Sequence, residues 1–229
     1  MAMLAERLIA DERMDDPELD AATYHAVLAD LAKVNRTTLA YRPTLSFLDE
    51  AVDGRSRISV LDVGFGNGDM LREIARWAKR RGVSAELTGI DLNPNSRAAA
   101  EAHSLDGSIA YLTGDYATLA GERFDCVISS LVAHHMSQAE LMTFLRFMEA
   151  EARLGWFVND LHRHGLAYRS WPILCAVMGW HPIVRADGHT SIARSFRPND
   201  WKELLERAGI GGAVVHRRFP FRLCVQRLR

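Results

Sequence analysis

The chain has 229 residues, 48% hydrophobic and 25% charged, with 28 Lys and Arg against 29 Asp and Glu. That length fits one large domain or a core domain with a smaller accessory layer, and the apolar content excludes intrinsic disorder as the main state. A formal net charge of −1 removes the simplest argument for non-specific nucleic-acid binding, which calls for a strongly basic protein.

Residues 1–54 are expected to form an N-terminal helical cover, because Leu19, Tyr24, Val27, Leu28, Leu31 and Val34 recur at helical spacing. The opening segment has no basic start and turns acidic by Asp11, so no secretory signal is read and a cytoplasmic location is expected. Asp53-Gly54 then breaks the pattern. From Ile58 onward apolar strand, glycine turn and helix alternate: ISVLDV, MLREIARWAKRRG, AELTGID, NSRAAAEAH, IAYLTGD, FDCVISS, AELMTFLRFMEAEA and GWFVND. Such alternation predicts parallel βαβ units in a sheet covered on both faces. Residues 55–229 are therefore read as the core, interrupted at about 161–198 by a stretch rich in His, Arg and Trp with no clean period. Insertions of this kind usually carry substrate contacts. WPILCAVMGW within it is too short to span a bilayer. A helix over 197–209 follows, with Asn199 or Asp200 as N-cap and Gly209 as stop. The last two strands flank Phe219-Pro220 too closely for a parallel crossover, so they form an antiparallel hairpin at the sheet edge. Cys126, Cys175 and Cys224 form no CxxC pair and read as buried thiols rather than a zinc or disulfide framework.

The most informative segment is VLDVGFGNGD (60–69), where a hydrophobic strand runs through Gly64, Gly66 and Gly68 into a helix. Glycines at this junction permit a tight turn and a close backbone approach to a ligand. A dinucleotide-binding loop wants G-x-G-x-x-G, but the position five after Gly64 is Asp69. Pyrophosphate would also meet the carboxylates of Asp62 and Asp69, whereas a cationic ligand would be attracted.

VLDVGFGNG resembles motif I of the class I S-adenosylmethionine-dependent methyltransferases, and the later residues agree in order. TGID places Asp91 at the end of the second strand, LTGDY supplies Gly114, Asp115 and Tyr116 after the third, and FDCVISS leads into LVAHHM, similar to the UbiE-like small-molecule branch. The resemblance implies an α/β fold with a doubly wound Rossmann-like sheet of seven strands, the last one antiparallel, plus the helical cover and a substrate-cap insertion. It further implies S-adenosylmethionine as cofactor. Asp62, Gly64, Phe65, Gly66, Asn67 and Gly68 would hold the methionine moiety, Asp91, Leu92 and Asn93 the ribose side, and Gly114, Asp115 and Tyr116 the adenine, with Ser130 nearby. The N-terminal region and HRHGLAY also resemble a bacterial subgroup associated with polyketide or quinone-like aromatic metabolism, in which a Val-Asn-Arg element precedes the core; this places Asn35 and Arg36 near the cofactor.

Methyl transfer is an in-line displacement that aligns nucleophile, methyl and sulfur, with a base to take the acceptor's proton where needed. Histidine suits that role near neutral pH. His134 and His135 follow the fourth strand, and His162 and His164 the fifth; His134, His135 and His162 are the candidate bases. Metal-dependent catechol-type relatives carry an acidic ligand at the end of the fourth strand, where Ser129 and Ser130 stand, and Asn159-Asp160 lacks a partner carboxylate, so no metal is expected. The Asn-Pro-Pro-Tyr type of motif that accompanies amine methylation is missing from SSLVAHH, which leaves a hydroxyl or an activated carbon as acceptor; O-methylation of a small aromatic or polyketide-like metabolite is the expectation. From Arg153 onward 13 Lys and Arg face 5 Asp and Glu, with Arg163, Arg169, Arg185, Arg194 and Arg197 in or beside the insertion. These either hold an anionic group, or pair with the acidic N-terminal helices or simply face water. An RNA methyltransferase and a non-catalytic cofactor-binding module are the rival readings, and a monomer or homodimer is expected.

Overall fold

The computed structural model describes residues 4–104 and 107–229. Strand β1 (Arg57–Val63) is buried on both sides along most of its length, which requires a sheet with helices on both faces. Its neighbours are β2 (Ser84–Asp91) and β4 (Phe124–Ser130), both parallel to it. With β3 (Ile109–Thr113), β5 (Ala152–Leu161), β6 (Val214–Arg218) and β7 (Arg222–Leu228), the seven strands run in the order β3-β2-β1-β4-β5-β7-β6. Only β7 opposes the parallel direction: it pairs antiparallel with β5 and with β6, and so lies inside the sheet with β6 at the edge.

Successive residues of the central strands face opposite cores, as strand geometry demands. Val60, Cys126, Ile128 and Phe157 pack under helices α2 (Tyr41–Val52) and α3 (Asp69–Arg81). Leu61, Val127, Trp156 and Val158 pack under α5 (Gln138–Glu151) and α8 (Pro198–Ala208). α1 (Ala21–Thr37) and α4 (Pro94–Glu101) meet through Tyr24, Leu28 and Ala99. The sheet order reverses between β1 and β4, and a crevice at the strand carboxyl ends is where open α/β sheets bind ligands.

Two stretches differ from expectation. The N-terminal cover is helical only from Ala21, where Asp20 accepts a hydrogen bond from Thr23 N at 3.0 Å. Residues 7–15 instead form a strap across the molecule, with one 3-10 turn at Arg13–Asp15; Pro17 disfavours helix at the preceding residue. Residues 1–3 of the expected cover lie outside the described residues. The periodless insertion is two helices, α6 (Gly165–Met178) and α7 (Pro182–Arg194). α7 hides its pattern because its polar residues are buried too: Asp187 accepts from Arg13 N and Met14 N, and Ser191 bonds Glu12 Oε1 at 2.8 Å. In α8, the N-cap position belongs to Arg197 rather than Asn199 or Asp200; Asp200 contributes from the third helical residue, accepting from Arg197 N at 2.8 Å. All three cysteines are buried and free, and among the described residues no helix is long and apolar enough to cross a membrane.

Fully buried Asn159 on β5 fastens the α1–α2 junction to the sheet, donating through Nδ2 to Ala40 O at 2.7 Å and to Thr44 Oγ1 at 3.1 Å. Asn159→Ala leaves those acceptors without a donor and is expected to cost about 1–3 kcal/mol, read as a lower midpoint in urea unfolding. An unchanged midpoint contradicts this role.

Candidate active site

The crevice opens into a cavity of about 510 Å³ bounded by the glycine loop, the ends of β2, β4 and β5, helices α1, α6 and α7, and the strap. The loop owes its shape to its glycines. Gly64 has φ +78° and a Cβ there would meet Val132 Cγ2 at 2.3 Å; Gly68 has φ +69° and its Cβ would meet the Tyr111 hydroxyl at 2.5 Å. Both positions therefore exclude a side chain on conformational and steric grounds.

Three carboxylates crowd this loop. Asp62 is 1% exposed with Oδ1 unpartnered, and burial, then Asp69 and Asp91, push its carboxyl well above the usual range. Asp91 is raised by burial although it accepts from Gly66 N at 2.8 Å and Asn93 N at 2.9 Å. Asp69 accepts from Asn35 Nδ2 at 3.0 Å and from the Tyr41 hydroxyl at 2.8 Å. Asn35 Oδ1 and Asn67 Oδ1 are also buried without partners. Unpaired acceptors beside like charges suit a ligand bringing N–H and O–H donors and a positive charge.

Of the residues singled out in the sequence, Asn35, Gly64, Phe65, Gly66, Asn67, Asp91, Leu92, Asn93, Gly114, Tyr116 and Ser130 line the cavity, as do His134, His135 and His162. Asp62 and Gly68 stand behind the loop, outside the lining. Asp115 is exposed and uses Oδ1 to cap the following turn at Ala117 N, and Arg36 is exposed at the end of α1. Neither side chain faces the cavity in this structure.

The three histidines differ sharply. His134, 2% exposed in a 3-10 turn after β4, bonds Asp160 Oδ1 through Nδ1 at 2.7 Å, and its backbone N donates to Asp160 Oδ2 at 2.8 Å. Its Nε2 lies 3.5 Å from Glu12 Oε1 of the strap. Burial disfavours the charged ring, but Asp160 and Glu12 outweigh it and raise the pKa to about 9. Both carboxyls are correspondingly held below their usual range by His134 in spite of their own burial. His135 pairs with Asp15 at 2.9 Å. His162 is pushed down to about 4 by burial, then by His164 and neighbouring arginines, and is neutral at pH 7.

Glu12, His134 and His135 bring ligand atoms within 4.8 Å of one another, a set able to hold a metal ion. A metal there would compete with the proton on His134 and with Arg194, whose Nη1 is 3.7 Å from Glu12 Oε1. Sequence reasoning missed Glu12 and Asp15 because only the folded strap brings them to this turn, and it set Asp160 aside as an incomplete metal ligand. Two of the insertion's arginines are spent on internal partners: Arg163 pairs with Asp200 at 2.8 Å and Arg194 with Glu12 and Asp15.

His134 titrates higher in the fold than its free value of 6.5. Its stabilising contribution is therefore complete below pH 6.5 and is lost as pH rises through about 9. The urea midpoint should fall across that window in the wild type and fall less in His134→Gln; equal slopes contradict the clamp.

A family model described as a methyltransferase domain matches residues 60–153. A ubiquinone biosynthesis O-methyltransferase of Methylobacterium sp. (strain 4-46) is 28% identical over 168 residues, covering 69% of this chain, and the chain spans 60% of that relative's length. Among solved structures, a plantazolicin methyltransferase in complex with a triazolic desmethylPZN analog and SAH aligns with TM-score 0.63 at 13% identity, covering 88% of this chain and 90% of that one. The magnesium protoporphyrin IX methyltransferase of Synechocystis PCC 6803 with bound SAH aligns at 0.57 and 17% identity, covering 95% and 91%. At these identities the structural likeness is one of fold. Motifs, sheet order and the methyltransferase-domain match over residues 60–153 agree, and together they support a class I S-adenosylmethionine-dependent methyltransferase.

Proposed function

We propose that this chain transfers the methyl group of S-adenosylmethionine to a hydroxyl of a small aromatic or polyketide-like acceptor. The observation that carries this reading is a single cavity in which an anionic glycine loop adjoins a histidine backed by a buried carboxylate. The bound cofactor supplies a methyl carbon on a positively charged sulfur, open to in-line attack. Gly64, Phe65, Gly66, Asn67 and Gly68 with Asp62 behind them would hold its methionine portion, with Asn35 approaching from α1. Asp91, Leu92 and Asn93 would take the ribose, Gly114 and Tyr116 the adenine, and Ser130 the neighbourhood of the sulfur.

Asp160 fixes the His134 ring by accepting from Nδ1, which leaves Nε2 on the side now held by Glu12. An acceptor hydroxyl in place of Glu12 would meet that nitrogen, and His134 would take its proton, with Asp160 as positioning residue. His135 and His162 would border the acceptor, and α6, α7 and the strap would close over it as the substrate cap, excluding water. No metal enters this scheme. The name of the Methylobacterium relative, an O-methyltransferase of quinone biosynthesis, supports the choice of oxygen. The RNA rival is disfavoured by the formal net charge of −1, and part of the C-terminal positive charge is held in ion pairs, Arg227 and Arg229 on Glu149 among them.

Labelled S-adenosylmethionine with a panel of phenols tests this reading. Transfer to hydroxyl oxygen is expected, with kcat/KM rising with pH toward the His134 pKa of about 9. His134→Gln should cut turnover roughly 10²- to 10⁴-fold with cofactor affinity retained, and chelators should leave the wild-type rate unchanged. Full turnover in His134→Gln removes His134 as base, and transfer only to amines or carbon removes the hydroxyl acceptor.

A further inference from the structure

Among the described residues, Arg222 is the single Arg or Lys on the cavity wall. It is the first residue of β7 and pairs with Leu161. Because β7 runs against the other strands, its start lies with their carboxyl ends, at the site. The side chain is 2% exposed. Its Nη2 donates to Thr38 Oγ1 at 3.4 Å, and Nη1 has no partner. Asp160 and Asp69 attract it only from a distance. Neither pairs with it directly, and a buried guanidinium without a counter-ion is costly.

Other positive groups at the cavity are unavailable to an anionic ligand. His134 is held by Asp160 and Glu12, His135 pairs with Asp15, and His162 is neutral. Arg36 is exposed and off the wall. Among the described residues, a carboxylate entering this space therefore has one free cation to meet, with the fork geometry that carboxylates prefer.

We propose that Arg222 is the carboxylate anchor of the cavity, pairing with a ligand carboxylate that comes from the methionine portion of the cofactor or from the acceptor. This rests on the methyltransferase reading, since S-adenosylmethionine always brings one such group. Where the cofactor supplies it, Arg222 is spent and the acceptor is uncharged; where the acceptor supplies it, the substrates are hydroxy acids.

The test is calorimetric titration of the full chain and of Arg222→Gln with S-adenosylhomocysteine and with 5′-methylthioadenosine, which lacks the amino-acid portion. A loss of about 10- to 100-fold in S-adenosylhomocysteine affinity, with 5′-methylthioadenosine binding preserved, establishes the anchor for the cofactor. Preserved binding of both, with turnover of hydroxybenzoates lost but that of their methyl esters kept, establishes it for the acceptor. Arg222→Lys should recover part of the lost function in either case. Loss of both nucleoside ligands in Arg222→Gln marks a structural residue and overturns the anchor, as does a variant that matches the wild type in every arm. Failure of the wild type to bind S-adenosylhomocysteine overturns the cofactor reading, and Arg222's role with it.

Discussion

Like charges crowd the glycine loop, and the rest of the site follows from that crowding. Asp62, Asp69 and Asp91 converge on a backbone turn that only glycine can make at Gly64 and Gly68. Burial, then the neighbouring Asp69 and Asp91, raise Asp62, and burial raises Asp91, so the protein alone holds these carboxyls at a cost. A ligand with positive charge and hydrogen-bond donors offsets that cost, and one with phosphates adds to it. The reversal of strand order between β1 and β4 places the loop at the mouth of the cavity, so electrostatics and topology select one kind of occupant.

A second arrangement organises the opposite wall. The 2.7 Å contact between His134 and Asp160 joins the turn after β4 to the end of β5. Glu12 completes the ring from the strap, which is itself fixed by Arg7 donating to His134 O and Met136 O at 2.6 and 2.7 Å. Closure of the cavity and the protonation of His134 are thereby linked: while Glu12 stays, the imidazole keeps its proton, and an acceptor that displaces Glu12 weakens one of the two carboxylates holding it.

The parts legible in the sequence are those written in local pattern. Val60 to Val63 and Cys126 to Ile128 read as strands because buried parallel strands are apolar runs. Gly64, Gly66 and Gly68 read as a ligand loop because a turn from strand to helix needs them, and Asp91 closes a strand that any such loop must face. What stayed hidden is long-range. Glu12 and Arg222 acquire their surroundings only when the strap and β7 fold against the cavity. α7 conceals its helix because Asp187 and Ser191 are buried by hydrogen bonds, which no apolar period records. Asp115 matches a motif by position, yet its carboxylate is taken by a local turn at Ala117 N.

Calorimetric titration of the wild-type chain with S-adenosylmethionine and NAD in parallel tests the electrostatic selection most directly. The account predicts binding of S-adenosylmethionine that Asp91→Ala abolishes, with no binding of NAD. Binding of NAD in preference to S-adenosylmethionine would contradict it.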